Sequence, residues 1–211
     1  MKLLLLFIFI TISSLASGQK NDKNFAIHVE AFASINGNRF YIDIYKNGSS
    51  VKTVYGLLDS INDIAMLKDK NFYINRDALM KQMNKRPQNQ DSLNKAVHDV
   101  KQLNNAYSSY SKDSLTFKTS DHSDYTSLLD SVNSAADTTL ENTAVNRSRI
   151  VLDGVMIEFN IIADGGSRKV YAHSPTPKSN PLLYKLLYQT LNIYRTTKRN
   201  LFLAAGRTSG Y

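Results

Sequence analysis

The stretch Phe40-Tyr41-Ile42-Asp43-Ile44-Tyr45-Lys46-Asn47-Gly48 decides the fold class. Phe40, Ile42 and Ile44 alternate with Tyr41, Asp43 and Tyr45, and a hydrophobic period of two marks a strand with one buried and one wet face. Asn47-Gly48 predicts a two-residue hairpin turn, because both central residues of a type I′ turn need positive φ. Upstream, Phe25 to Ser34 sets Phe25, Ile27, Val29 and Ala31 against Ala26, His28, Glu30 and Phe32. It reads as the preceding strand, with Asn36-Gly37-Asn38 turning the chain between the two. Downstream, Val51 to Leu57 supplies a third strand of the same meander.

The pattern returns late in the chain. Gly37 to Gly48 and Gly154 to Gly165 align without a gap at an offset of 117 residues, so that Phe40, Ile42 and Ile44 face Ile157, Phe159 and Ile161. Asp164-Gly165 takes the place of Asn47-Gly48, and Val54-Tyr55 matches Val170-Tyr171 after a one-residue slip. Convergence on hairpin grammar explains the likeness as well as duplication does.

Between the two blocks the sequence turns helical and polar. Asn75 to Lys85 predicts a short helix stopped by Pro87. Asp91 is expected to cap a longer helix to about Tyr110, with Leu93, Val97, Val100, Leu103, Tyr107 and Tyr110 on one stripe. Residues 108–146 are rich in Ser, Asp and Asn and read as a mobile or linker segment holding one helix near Tyr125 to Ala135. Asn180-Pro181 opens the best helix of the chain, in the capped, proline-first manner, and Leu183, Leu186, Leu187, Leu191 and Tyr194 form its apolar face. The expected fold is α+β: an antiparallel β-meander sheet of two three-stranded hairpin blocks, helices between the blocks, and a C-terminal helix, packed on one face.

Met1 to Gly18 reads as a secretory signal peptide. Lys2 is the positive n-region, Leu3 to Ile12 is the apolar run, and Ala16-Ser17-Gly18 offers small residues for cleavage before Gln19. That run is too short to span a bilayer core of roughly 30 Å. Residues 19–211 are then expected to form a single α+β domain, exported to a periplasm or the extracellular space. The chain contains no Cys. This excludes a disulfide scaffold, thiolate zinc sites, a thiol nucleophile and a lipidated-cysteine anchor.

The net charge is +8, and all of the excess lies beyond Asp164. The first 164 residues carry 18 basic and 18 acidic side chains, whereas the last 47 carry eight basic ones and no acid. Binding of anionic surfaces through this basic C-terminal region is therefore one expectation. Nucleic acid is not an expected partner, since no helix-turn-helix, zinc-finger or RNP pattern is present.

No catalytic pattern converges. There is no GxSxG elbow, and the SxxK match Ser109-Tyr110-Ser111-Lys112 lacks its companion SDN and KTG motifs. Glu30 and Glu158 are expected to share a solvent-facing strand face. Asp121-His122-Ser123-Asp124 offers an imidazole and two carboxylates, but no paired-His spacing reinforces it. Neither a cofactor nor a metal is expected. The chain reads as a non-catalytic binding or interaction protein of the envelope with a protein partner, an inhibitor or immunity-type protein being one version. A hydrolase of envelope polymers is the alternative. Tyr41, Tyr45, Tyr184, Tyr188, Arg195, Lys198 and Arg199 are the contact candidates, because Tyr and Arg are enriched at hot spots.

Five tripeptides read Asp, then Ser or Thr, then a small or branched residue, with hydroxyls at Ser60, Ser92, Ser114, Ser131 and Thr138. They resemble the acceptor sequence of a general O-glycosylation system of some Gram-negative envelopes. Asp-Ser pairs acting as helix caps would give the same pattern.

Overall fold

Alternation over Phe25–Ala33, Phe40–Asn47, Ser50–Ile61 and Val155–Ala163 sends one apolar row from each segment to the same side of a sheet. The computed structural model describes residues 24–33, 39–87, 89–149, 151, 154–208 and 210–211. The leader expected at Met1 to Gly18 and the turn expected at Asn36-Gly37-Asn38 lie outside the described residues. In chain order the elements are β1 (Phe25–Ala33), β2 (Phe40–Asn47), β3 (Ser50–Ile61), α1 (Asp63–Lys68), α2 (Lys70–Asn84), α3 (Gln90–Ala106) and β4 (Ser108–Lys118). There follow α4 (Ser123–Ser134), α5 (Asp137–Glu141), α6 (Thr143–Asn146), β5 (Val155–Ala163), β6 (Gly166–His173) and α7 (Pro181–Lys198).

The fold is α+β, built on one six-stranded sheet of order β4-β3-β2-β1-β5-β6 in which every pair is antiparallel. The strands divide four and two between the blocks rather than three and three, because Ser108–Lys118 is an eleven-residue edge strand and not a linker. The aligned segments of β2 and β5 flank β1 in matching register. Ile27 lies opposite both Ile44 and Ile161, and Val29 opposite both Ile42 and Phe159. The likeness stops there. Tyr55 is fully buried whereas Tyr171 is exposed, since a one-residue slip turns a strand residue to the other face. The first hairpin turn is Gly48-Ser49 rather than Asn47-Gly48: Asn47 pairs with Ser50, and only Gly48 of the two central residues has positive φ.

α4 and α7 cover the apolar face. Leu183, Leu186, Leu187, Leu191 and Tyr194 of α7 are buried there beside Leu128, Leu129 and Val132 of α4. Tyr55, buried in the middle, donates from its hydroxyl to the Thr190 carbonyl at 3.1 Å, and Tyr125 shares a 2.8 Å hydrogen bond with the Thr190 hydroxyl. Burial pushes both phenols well above their ordinary range. Asn180 precedes α7, but its side chain does not cap the helix. Its amide donates instead to the carbonyls of Leu140 and Glu141 at 3.1 and 2.9 Å, tying α5 to the base of α7.

α1, α2 and α3 form a helical arm on the β3–β4 connection. α2 starts earlier than Asn75 because Asp69 accepts from the Asn71 backbone N–H. α3 starts at Gln90, with Asn89 accepting from the Ser92 N–H as its cap, and it stops at Ala106 so that Tyr110 belongs to β4. Its inward stripe keeps Leu93, Val100, Leu103 and Tyr107, each half-buried, but runs through Ala96 in place of Val97, which stands exposed. Among the described residues no helix is long and apolar enough to cross a membrane.

Candidate functional site: the polar face of the sheet

The face opposite α4 and α7 is assembled by register alone. Lys52, Tyr45, Ala26, Ile162 and Ser167 form one row across it, and Val54, Asp43, His28, Asn160 and Lys169 the next. A third row runs Gly56, Tyr41, Glu30, Glu158, Tyr171. At Gly56 the Tyr41 ring occupies the space of a side chain: a Cβ there would meet ring carbons at 2.1 to 2.8 Å. Tyr41 then packs edge-on against Tyr110, with ring centroids 5.3 Å apart.

Two carboxylates thus stand directly opposite each other, Glu30 on β1 and Glu158 on β5. Like charges at such positions repel. Lys101 of α3 resolves the conflict, with Nζ 2.5 Å from Glu30 and 3.2 Å from Glu158. Lys169 adds a second contact to Glu158 at 2.8 Å, and Arg39 lies 3.5 Å from Glu30. Both glutamates are consequently buried, not solvent-facing as the alternation implied. Burial pushes their carboxyls up. Hydrogen bonds from His28 and Lys101 to Glu30, and from Lys169 and Lys101 to Glu158, outweigh it and hold both below the usual carboxylate range.

His28 sits beside this pair. Its Nδ1 is 2.5 Å from Asp43 Oδ1, and its Nε2 is 3.8 Å from Glu30. Hydrogen bonds to Asp43 and then Glu30 raise its pKa to about 9 against the cost of burial. His28, Glu30, Tyr41, Asp43, Asn105 and Tyr110 line a pocket of about 250 Å³. The geometry resembles a histidine–carboxylate dyad, but the protonation is wrong for a general base: a group with a pKa near 9 holds its proton at neutral pH. The glutamates are equally unsuited to glycoside hydrolysis, which needs one carboxyl kept protonated as the acid.

Comparison with known protein families, characterised proteins and solved structures finds no match.

The remaining sequence candidates scatter. Ser109 and Lys112 are three residues apart on β4 and so point to opposite faces, which removes the SxxK pairing. His122 packs edge-on against Phe117 at 4.8 Å, and Asp121 accepts from the Lys118 backbone N–H. Among the described residues no group of three or more His, Asp or Glu is arranged to hold a metal ion. Tyr41 and Tyr45 lie on the polar face, whereas Tyr184 and Tyr188 stack 5.9 Å apart on α7, behind the sheet. These two pairs do not form one surface. Arg195 donates to the carbonyls of Leu203 and Tyr211 and to the Thr208 hydroxyl, and Lys198 pairs with Asp113 at 3.1 Å. Arg199 is the left-handed C-cap of α7. Arg168 binds Asp137 and the carbonyls of Val132, Asn133 and Ala135. Much of the basic excess is thereby consumed inside the fold.

None of the aspartates in the Asp-Ser/Thr motifs is an N-cap residue, although Asp137 opens α5 and Asp91 is the second residue of α3, both in a first helical turn. Asp59 and Asp113 are in strands, Asp130 is inside α4, and the cap next to Asp91 is Asn89. Ser60, Ser114, Ser131 and Thr138 are exposed and Ser92 is half-buried.

Proposed function

We propose that the chain is an exported, non-catalytic binding protein of the cell envelope or periplasm, an inhibitor or immunity-type protein being the concrete version. The observation that carries this is the state of the polar sheet face. Its chemistry-bearing groups are paired with one another, while Tyr45, Met156, Ile162 and Tyr171 stand more than two-fifths exposed around them. Aromatic side chains around a polar centre, carried on a rigid sheet, are suited to protein recognition. The export pattern at Met1 to Gly18 supports the location. The exposed hydroxyls of Ser60, Ser114 and Ser131, whose aspartates lie in strands or inside a helix, support glycan attachment in an envelope.

The test is an affinity capture from the native host's envelope fraction with Gln19–Tyr211 as bait, beside a Tyr45→Ser/Tyr171→Ser variant. One stoichiometric protein retained by the first bait and lost by the second is the expected result. An empty capture by both baits overturns the proposal.

A further inference from the structure

The arm carries a surface that the sheet face does not use. α2 turns Phe72, Asn75, Leu79 and Gln82 inward at helical spacing, yet it keeps a second apolar row on its outer side. Tyr73, Met80 and Met83 follow one flank at 45, 51 and 49 % exposure, and Ile74 is 62 % exposed on the neighbouring row. That neighbouring row runs Lys70, Ile74, Lys81, Lys85, each four or seven residues from the last. From Lys70 to Arg86 the segment holds five cations, Lys70, Arg76, Lys81, Lys85 and Arg86, against the single acid Asp77. Arg76 is held by Asp77 at 3.1 Å and lies over the Tyr73 ring at 5.2 Å. Arg86 folds back on the carbonyls of Met83 and Lys85, which closes the end of the helix next to Met83.

A helix that half-covers a row of mixed polarity against α3 and leaves Tyr73, Ile74, Met80 and Met83 exposed beside lysines offers solvent both the apolar and the cationic side chains that interfacial binding uses. Its net charge of +4 over this segment opposes pairing with a second copy of itself and favours an anionic surface. The exposed rows lie on a convex helix flank, not in a groove, and thioethers and a phenol adapt to a headgroup layer without needing a matched shape. We infer that α2 is a membrane-docking element that lays Tyr73, Met80 and Met83 into the headgroup region of an anionic lipid surface, with Lys81, Lys85 and Arg86 on the phosphates. This stands apart from recognition by the sheet face, and either can fail alone.

The chain has no Trp, so Met80→Trp supplies a single reporter in Gln19–Tyr211. Added vesicles of phosphatidylglycerol mixed with phosphatidylcholine should shift its emission to the blue and carry the protein in flotation, whereas phosphatidylcholine alone should do neither. High salt and a Lys81→Glu/Lys85→Glu change should each weaken binding by at least about tenfold. Met80→Ser/Met83→Ser in the otherwise unchanged chain should abolish flotation. A Lys185→Glu/Arg199→Glu control on the C-terminal region should float like the unchanged protein. All these positions are exposed, and equal urea midpoints would verify folding. Three outcomes overturn the inference: no flotation at low salt, unchanged flotation of the α2 variants, or loss of flotation by the C-terminal control. Capture of an acidic protein through α2 without flotation also overturns it.

Discussion

His28 is held between Asp43 and Glu30, and its charge is a structural element of the sheet face. Its pKa of about 9 in the fold exceeds the ordinary 6.5, so the folded state binds the proton more tightly than the unfolded chain does. The stabilisation is complete below pH 6.5 and is lost as pH rises through about 9. An NMR titration of the imidazole should show a midpoint near 9, and Asp43→Asn should lower it towards 6.5. A midpoint near 6.5 in the unchanged protein would mean that the pairing does not persist in solution. In the sequence these two residues are fifteen apart, and only the hairpin register of β1 on β2 brings them opposite one another. Alternation alone was enough to place His28 and Glu30 on one face. It could not show that Lys101, from a helix 71 residues further on than Glu30, would cover them.

The elements differ in how strongly they are specified. β1, β2 and β5 are legible because every second residue is a large apolar one, and α7 because its leucines repeat at helical spacing. β4 is not, since Ser111 and Asp113 occupy the side that Leu115 and Phe117 continue. Asp113 is tolerated there because the Tyr194 hydroxyl, at 2.5 Å, and Lys198 reach it from α7. The arm depends on an equally local device. Ala96 is the one buried apolar side chain among the described side chains of α1, α2 and α3, and polar contacts fasten the arm to the sheet: Lys101 to its two glutamates, and Asn105 to Arg39 at 3.1 Å. Lys101→Met should destabilise the protein by about 2 kcal/mol in urea unfolding, because it leaves opposed, largely buried carboxylates with fewer partners. Adding Glu158→Gln should recover most of that loss. A single variant as stable as the parent would show that Arg39 and Lys169 suffice.

At the scale of the whole molecule, apolar burial is concentrated between the sheet and the α4–α7 layer. Native-state hydrogen exchange should therefore show two levels: the amides of β1, β2, β5 and α7 opening only with global unfolding, and those of residues 63–106 opening at lower free energy. Uniform protection across both regions would mean that the arm is packed far more tightly than its exposed side chains imply.

The sheet order has a consequence in time. β1 lies at the centre of the sheet, between β2, its neighbour in the chain, and β5, whose nearest paired residues are Ala33 and Val155, 122 positions apart. As the chain emerges N-terminus first, β1–β4 are complete before β5 is available, and until then one side of β1 is an unpaired edge, open to any other strand. Closing so long a loop is slow. A nascent chain of this architecture spends its most aggregation-prone interval waiting for its own last third, and a chaperone that shields β1 would act in that interval.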